Sequence, residues 1–250
     1  MISYGMFTTF LYLCSMEKKI LIIPDVHGRR FWRDAIESDD YDKVIFLGDY
    51  LDPYPNEEIG SFTAQEGLER IILYHDEHPD KVVLLLGNHD LHYMYEDFHA
   101  YSPCDRYNKA YCDCYGSLLM EGSKFKLAHE ETIGGRQYLF THAGVSMPWL
   151  KLNKKIIGEP NAENLNRLTI TDEGIKALAQ VGFMRGGMYR SGSMVWCDCD
   201  ELAASEPLPD VYQIVGHSQQ FYGCPFITPH FACLDCRNAF VLEEKGIRYA

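Results

Sequence analysis

The sequence is short of positive charge. Its 23 Lys and Arg residues stand against 36 Asp and Glu, a formal net charge of -13 over 250 residues. That balance excludes broad electrostatic binding to DNA, RNA or an anionic membrane face, each of which calls for a basic patch. A phosphate-bearing substrate must then be attracted locally, by metal ions and a few arginines. Long apolar runs are missing too, so no transmembrane segment is expected. Residues 1–15 are apolar and aromatic but lack the basic start and small-residue cleavage site of a signal peptide. With Met16 just ahead of the first strand signal, they are expected to be a loose arm or a start-site artefact. No internal repeat or low-complexity linker breaks the rest, and 46% hydrophobic residues suffice for a full core. Residues 16–250 are therefore expected to form one domain with a helical and aromatic insertion around 91–120.

Nine cysteines include Cys112-Asp113-Cys114, Cys197-Asp198-Cys199 and Cys233-Leu234-Asp235-Cys236. Each pair sits in or beside a predicted strand or helix, not in the facing knuckles of a zinc ribbon. Reduced, mostly buried thiols in a cytoplasmic protein are expected.

What the chain does have is one construction used five times. An apolar run at residues 43–47 ends in Gly48-Asp49-Tyr50-Leu51-Asp52. Such a run, bounded by turn signals, reads as a buried strand of a parallel or mixed sheet, and ligands collect at the carboxyl ends of those strands. Residues 19–24 lead likewise into Asp25-Val26-His27-Gly28, and 81–86 into Gly87-Asn88-His89-Asp90. Residues 137–140 lead into Thr141-His142-Ala143-Gly144, and 211–215 into Gly216-His217-Ser218. The gathered Asp, His and Asn side chains are oxygen and nitrogen donors suited to divalent ions such as Mn, Fe or Zn.

Between these points, residues 29–37 read as a short helix closing a βαβ unit. Thr63 and Glu66 read as a capping box for a helix stopping near His78, before Pro79. Residues 91–119 carry seven Tyr and Phe residues and read as irregular helices over the site, the aromatics serving as packing. Residues 124–129 and 137–141 read as neighbouring strands about the Gly134-Gly135 turn. A helix is expected at 172–181, and strands at 231–235 and 239–242 joined tightly through Arg237-Asn238.

Chemically, Asp25 and His27 can turn to one point, while Asp49 can use both oxygens to bridge two cations. Asn88, His142 and His217 complete the second ion's shell. A hydroxide held between the ions attacks phosphorus with no protein nucleophile, and His89, steadied by Asp52, protonates the leaving alkoxide.

The ordered set D-x-H-G, G-D-Y-x-D, G-N-H-D, H-A-G and G-H-S resembles the calcineurin-like metallophosphoesterases. The second block and Val195-Trp196-Cys197-Asp198 resemble the phosphoprotein phosphatase branch, which includes serine/threonine phosphatases and diadenosine tetraphosphatases. The resemblance implies an α/β fold of two mixed β-sheets sandwiched between helices. It implies Asp25, His27 and Asp49 on one metal, Asp49, Asn88, His142 and His217 on the other, and His89 with Asp52 as the acid pair. It also implies two divalent ions, manganese foremost and Fe, Zn, Ni or Co accepted.

Two departures stand out. The branch usually continues its second block with an arginine that grips substrate phosphate, whereas this chain has Pro53; and its third block ends in Asp90, not glutamate. Arg190, Arg185 and Arg29 are the candidates for the missing phosphate contact. His75, His78, His92, His99, His129 and His230 lie outside the motif blocks, His92 following the Asn88-His89 turn most closely. The expected activity is hydrolysis of phosphomonoesters, on a phosphoprotein or a small phosphoester, with dinucleoside polyphosphate or cyclic nucleotide hydrolysis as the alternative. A non-catalytic scaffold is disfavoured, since none of the six ligands is missing.

Overall fold

The computed structural model describes residues 18–38, 40–102, 104–220 and 223–250; the opening arm expected at residues 1–15 lies outside them. The first three apolar runs form β1 (Ile20–Ile23), β2 (Lys43–Phe46) and β3 (Val82–Leu85). After them come β4 (Phe125–Lys126), β5 (Ala128–Ile133), β6 (Arg136–Thr141), β7 (Val211–Val215) and β8 (Phe226–Ile227). The last strands are β9 (Phe231–Cys233), β10 (Phe240–Glu243) and β11 (Gly246–Tyr249). They build a six-stranded sheet in the order β11-β10-β1-β2-β3-β4 and a five-stranded sheet in the order β5-β6-β7-β9-β8. Both are mixed: β1 to β4 run parallel and β10 lies antiparallel between β1 and β11, while β6, β7 and β9 run parallel between antiparallel edges β5 and β8.

Alternation along each strand decides what the sheets bury. In the first sheet Ile20, Ile22, Ile45, Leu47, Val83 and Leu85 turn one way and meet Tyr138, Phe140, Tyr212 and Ile214 of the second. Leu21, Ile23, Val44, Phe46 and Leu84 turn the other way, onto Trp32, Leu68 and Ile71. Those three lie on helices Trp32–Glu37 and Ser61–Glu77. Leu139 of the second sheet packs in the same cluster as Trp149 and Leu178, from helices Met147–Ile157 and Asp172–Leu178. The result is the expected sandwich of two mixed sheets between helices. Each fully buried Ile, Leu or Phe contributes about 1.5–3 kcal/mol to its stability.

Three local expectations are corrected. Residues 124–129 are not one strand: β4 pairs with β3 in the first sheet and β5 with β6 in the second. At the switch the Leu127 and Ala128 N–H groups donate to Asn166 Oδ1 at 2.7 and 2.9 Å, so a side chain satisfies backbone that neither ladder reaches. Residues around Arg237-Asn238 do not make a hairpin, because β9 and β10 lie in different sheets. The capping box at Thr63 and Glu66 is absent, since the long helix begins at Ser61 behind Gly60 and Glu66 pairs with Arg70. That helix does stop at Glu77, ahead of Pro79, and residues 91–119 are short helices, Asn88–Met94, Glu96–Tyr101 and Cys112–Met120 among them. The described cysteines form no disulfide: Cys197, Cys233 and Cys236 are buried, and Cys112 and Cys114 share one helix.

Candidate metal centre

Every motif residue leaves the carboxyl end of a parallel strand. Asp25 and His27 follow β1, Asp49 and Asp52 follow β2, Asn88 and His89 follow β3, His142 follows β6 and His217 follows β7. All eight are buried. Four of them hold left-handed backbone that non-glycine residues seldom adopt: His27 (φ 44°), Asp49 (φ 53°), Asp52 (φ 54°) and His217 (φ 63°). Such positions cost on the order of 1–3 kcal/mol each and persist only where neighbours over-determine them. Here Asp90 supplies the brace. Its carboxylate accepts the N–H groups of Asp49 (2.8 Å), Tyr50 (3.1 Å) and Gly87 (2.8 Å), while His27 N–H donates to the Asp49 carbonyl at 2.7 Å. Burial first and the Asp49 charge next raise the Asp90 pKa to about 7.

Glycine at two strand ends makes room for the carboxylates. A Cβ on Gly87 would stand 2.1 Å from Asp49 Oδ1, and one on Gly216 2.1 Å from Asp25 Oδ1. Gly87→Ala is expected to displace Asp49, lowering Mn²⁺ affinity at least tenfold and stability by about 1–3 kcal/mol. Isothermal titration of metal-free protein, with a thermal melt, would read both, and unchanged Mn²⁺ binding would refute the crowding argument.

Asp49 is the hub. One donor group consists of His27, Asp49 and His89, another of Asp49, His142 and His217, with the donor atoms of each within 4.8 Å of one another. Asp49 Oδ2 lies 3.5 Å from His27 Nε2 and 3.4 Å from His142 Nε2. His142 Nε2 is also 3.1 Å from both Asn88 Oδ1 and His217 Nδ1. Asp25 joins from beneath, accepting the His217 N–H on both oxygens at 2.9 and 3.1 Å.

The imidazoles are presented as ligands. His27 Nδ1 lies 2.7 Å from the Leu51 carbonyl and His142 Nδ1 2.9 Å from the Leu47 carbonyl. A carbonyl only accepts, so both Nδ1 atoms carry protons and both Nε2 atoms face Asp49, the orientation second-shell carbonyls give metal-binding histidines. Burial holds His27 well below the ordinary imidazole pKa, keeping it neutral. Burial, Arg185 and His142 do the same for His217, whose Nε2 is buried with no hydrogen-bond partner among the described residues. For His142 burial lowers the pKa, but Asp49 and Asp25 outweigh it and raise it to about 9. The buried carboxylates thus draw positive charge to the point where the donors converge. Neutral nitrogens, clustered carboxylates and a partnerless His217 nitrogen fit a pair of divalent cations.

The predicted acid pair stands beside this cluster. His89 Nδ1 lies 2.7 Å from Asp52 Oδ2, and the His89 and His27 rings meet edge to face at 5.0 Å. Burial lowers the His89 pKa, yet Asp49 and the Asp52 hydrogen bond leave it well above the ordinary value.

The three predicted arginines are placed differently. Arg29 is buried, with Nε and Nη2 on Glu57 at 2.8 and 3.0 Å and Nη1 donating to the Asp25 carbonyl at 3.3 Å. Arg185 pairs with Asp198 at 2.8 Å and donates to the His217 carbonyl at 3.3 Å. Both brace the backbone of predicted ligands. Arg190 is exposed.

Two residues that sequence reasoning missed reach the acid pair from the aromatic stretch. Tyr93 Oη donates to Asp52 Oδ1, completing that carboxylate's partners. Arg106 stacks 3.9 Å over the Tyr54 ring, donates to the Asp52 carbonyl and lies 2.8 Å from His89 Nε2 and 3.4 Å from His27 Nδ1. The only signal for Arg106 was a lone arginine within a tyrosine-rich segment. His92 is buried behind His89, with Nε2 on the Ser102 carbonyl at 2.5 Å, and burial brings its pKa to about 4. It packs against Trp196 and Phe98, outside the donor groups.

Fold and site together are those of a metal-dependent phosphoester hydrolase. Residues 18–220 match the model of the calcineurin-like phosphoesterases, and the chain belongs to that family, whose members work with a dinuclear divalent metal centre. No curated protein sequence matches it. Among solved structures it is similar to a cold-active protein-tyrosine phosphatase of a psychrophilic Shewanella species, at 15% identity and a TM-score of 0.51, covering 93% of this chain and 80% of that one. A point mutant of a cold-active protein tyrosine phosphatase aligns at 13% identity and a TM-score of 0.53, over 93% and 80% of the two chains. A serine/threonine phosphatase from Saccharomyces cerevisiae aligns at 15% identity and a TM-score of 0.44, over 90% and 72%. The likeness to the two cold-active phosphatases, at these identities, speaks for the fold alone.

Proposed function

We propose that this phosphoesterase hydrolyses phosphomonoesters, phosphoserine or phosphothreonine in protein among them. The observation that carries the reading is Asp49, shared between two buried donor groups with the His89 and Asp52 pair at its side. Asp25, His27 and Asp49 would hold one cation, and Asp49, Asn88, His142 and His217 the other. When bound, two divalent cations, manganese foremost, neutralise phosphoryl charge and ready a water for attack at neutral pH.

The remaining work falls to the chain. His89 gives its Nε2 proton to the departing alkoxide, and Asp52 on Nδ1 fixes the ring and steadies its charged form. Tyr93 in turn fixes Asp52. Arg106 takes the phosphate contact that Pro53 cannot make. A guanidinium only donates, so at 2.8 Å from His89 Nε2 Arg106 competes with the proton that Asp49 and Asp52 otherwise favour on that ring. Phosphate oxygens that accept from Arg106 would draw it off His89 and leave Nε2 free to carry the proton.

The test compares wild type and His89→Asn, with Mn²⁺ or EDTA, on para-nitrophenyl phosphate, a phosphothreonine peptide, diadenosine tetraphosphate and bis-para-nitrophenyl phosphate. Metal-dependent turnover should favour the two monoesters. The variant should lose roughly 10²- to 10⁴-fold on the peptide, whose alkoxide needs a proton, and distinctly less on para-nitrophenolate release. Preference for the tetraphosphate would sink the monoester reading, and equal losses on both leaving groups would remove His89 as the acid.

A further inference from the structure

The run Cys233-Leu234-Asp235-Cys236, singled out by its cysteines, carries a carboxylate with no part in the chemistry above. Asp235 is 1% exposed, and neither of its carboxylate oxygens has a hydrogen-bond partner among the described residues. An uncompensated buried carboxylate is among the most costly groups a fold can hold. Its position in the sheet says what it serves. In the parallel ladder of β7 and β9, Val215 stands opposite Cys233, and the Leu234 N–H donates to the Val215 carbonyl at 2.8 Å. His217 and Asp235 therefore lie two residues past matched positions on neighbouring strands, both leaving the carboxyl edge where the donors gather.

The electrostatic surroundings agree. Burial and the Asp25 charge push the Asp235 carboxyl well above the usual range, Asp49 adds to this, and Arg29 and His142 oppose it. Arg29 gives N–H groups to Glu57 and the Asp25 carbonyl and makes no hydrogen bond with Asp235. Asp235 thus feels the charge of the same two carboxylates that the donor cluster is built on, and no hydrogen-bond donor among the described residues reaches it.

We infer that Asp235 is a further carboxylate of the metal centre, giving an oxygen to the cation held beside Asp25. The inference rests on the two-cation reading and adds a seventh residue to it, from the strand next to the one that carries His217.

The experiment uses the full chain, stripped of metal and titrated with Mn²⁺ by calorimetry and by the Mn²⁺ electron paramagnetic resonance signal, with thermal melts of both forms. Asp235→Asn and Asp235→Ala are compared with wild type and with Asp49→Asn. Without metal at neutral pH, Asp235→Asn should melt above wild type, because it removes a buried carboxyl that must take up a proton on folding and finds no partner. With Mn²⁺ it should gain less than wild type, and its affinity for one of the two ions should fall roughly 10- to 100-fold. A merely structural carboxyl does not give these opposite signs. Two Mn²⁺ ions bound at wild-type affinity by both Asp235 variants would overturn the inference. If Asp49→Asn loses Mn²⁺ in the same series, the two-cation reading stands without Asp235; if Asp49→Asn also binds as wild type, that reading fails with it.

Discussion

Asp49→Asn is expected to cost roughly 10³-fold or more in kcat/KM, about 4 kcal/mol of transition-state stabilisation, and to abolish tight Mn²⁺ binding at both positions. The size follows from sharing. Asp49 Oδ2 is the oxygen nearest both His27 Nε2 and His142 Nε2, at 3.5 and 3.4 Å, so no other single side chain belongs to both donor groups. Its other oxygen accepts the His89 N–H at 2.9 Å, which ties the hub to the acid pair. An asparagine keeps that acceptor and the shape of the site. It removes the charge that draws cations, and it replaces one oxygen with an amide nitrogen that cannot ligate.

The fold should survive this change. Asp49 is buried with Asp25 and Asp90, and its charge raises the pKa of each. Neutralising it relieves that repulsion but also removes the partner of His142 and His89, the imidazoles that hold Asp49 well below the usual carboxylate range despite its burial, so the metal-free variant should stay folded and melt somewhat below metal-free wild type at neutral pH. Elemental analysis after dialysis, steady-state kinetics and a melt separate the outcomes. Two Mn²⁺ ions retained, or turnover within tenfold of wild type, would remove Asp49 as the bridge.

Much of this architecture was legible because buried parallel strands have a plain signature. Covered on both faces, β1, β2 and β3 read as continuous apolar runs, and the polar residues at their ends stand out sharply. The same feature made the motif blocks visible, since each begins where an apolar run stops. Other parts had no such signature. The switch of residues 125–128 from one sheet to the other depends on Asn166, some forty positions away, and alternation looks the same in either sheet. The tight link after Asp235 resembles a hairpin until one knows that the first sheet takes β10 as a partner for β1. Arg29 and Arg185 were found near the centre, but they are turned toward the carbonyls of Asp25 and His217 by Glu57 and Asp198, whose positions no local pattern discloses. Tyr93 and Arg106 were hidden for the opposite reason. They sit in a segment whose aromatic content reads as packing, and Tyr115 and Phe98 of that segment are indeed buried.

Arg106→Ala is expected to lower kcat/KM for phosphomonoesters roughly 10²-fold, near 3 kcal/mol, while leaving Mn²⁺ binding intact. Arg106 touches no predicted ligand through a charge it must neutralise: it donates to the Asp52 carbonyl, lies on Tyr54 and abuts His89 Nε2. In a chain of net charge -13, a half-buried guanidinium between the acid histidine and the donor cluster is well placed to take a phosphate dianion. Tyr54 holds it there without consuming its outer N–H groups, since stacking uses the face of the guanidinium. Inhibition by inorganic phosphate should weaken alongside turnover, because both anions use the same donors. Arg106→Lys should recover only part of the loss, since an ammonium keeps the charge but not the planar pair of donors. The loss should be smaller on bis-para-nitrophenyl phosphate, a monoanion with one fewer oxygen to grip. An alanine variant that keeps wild-type kcat/KM and phosphate inhibition would show that the contact with His89 is incidental. A variant that loses Mn²⁺ would instead make Arg106 a support of the Asp52 and His27 loops, and the phosphate grip would have to lie elsewhere.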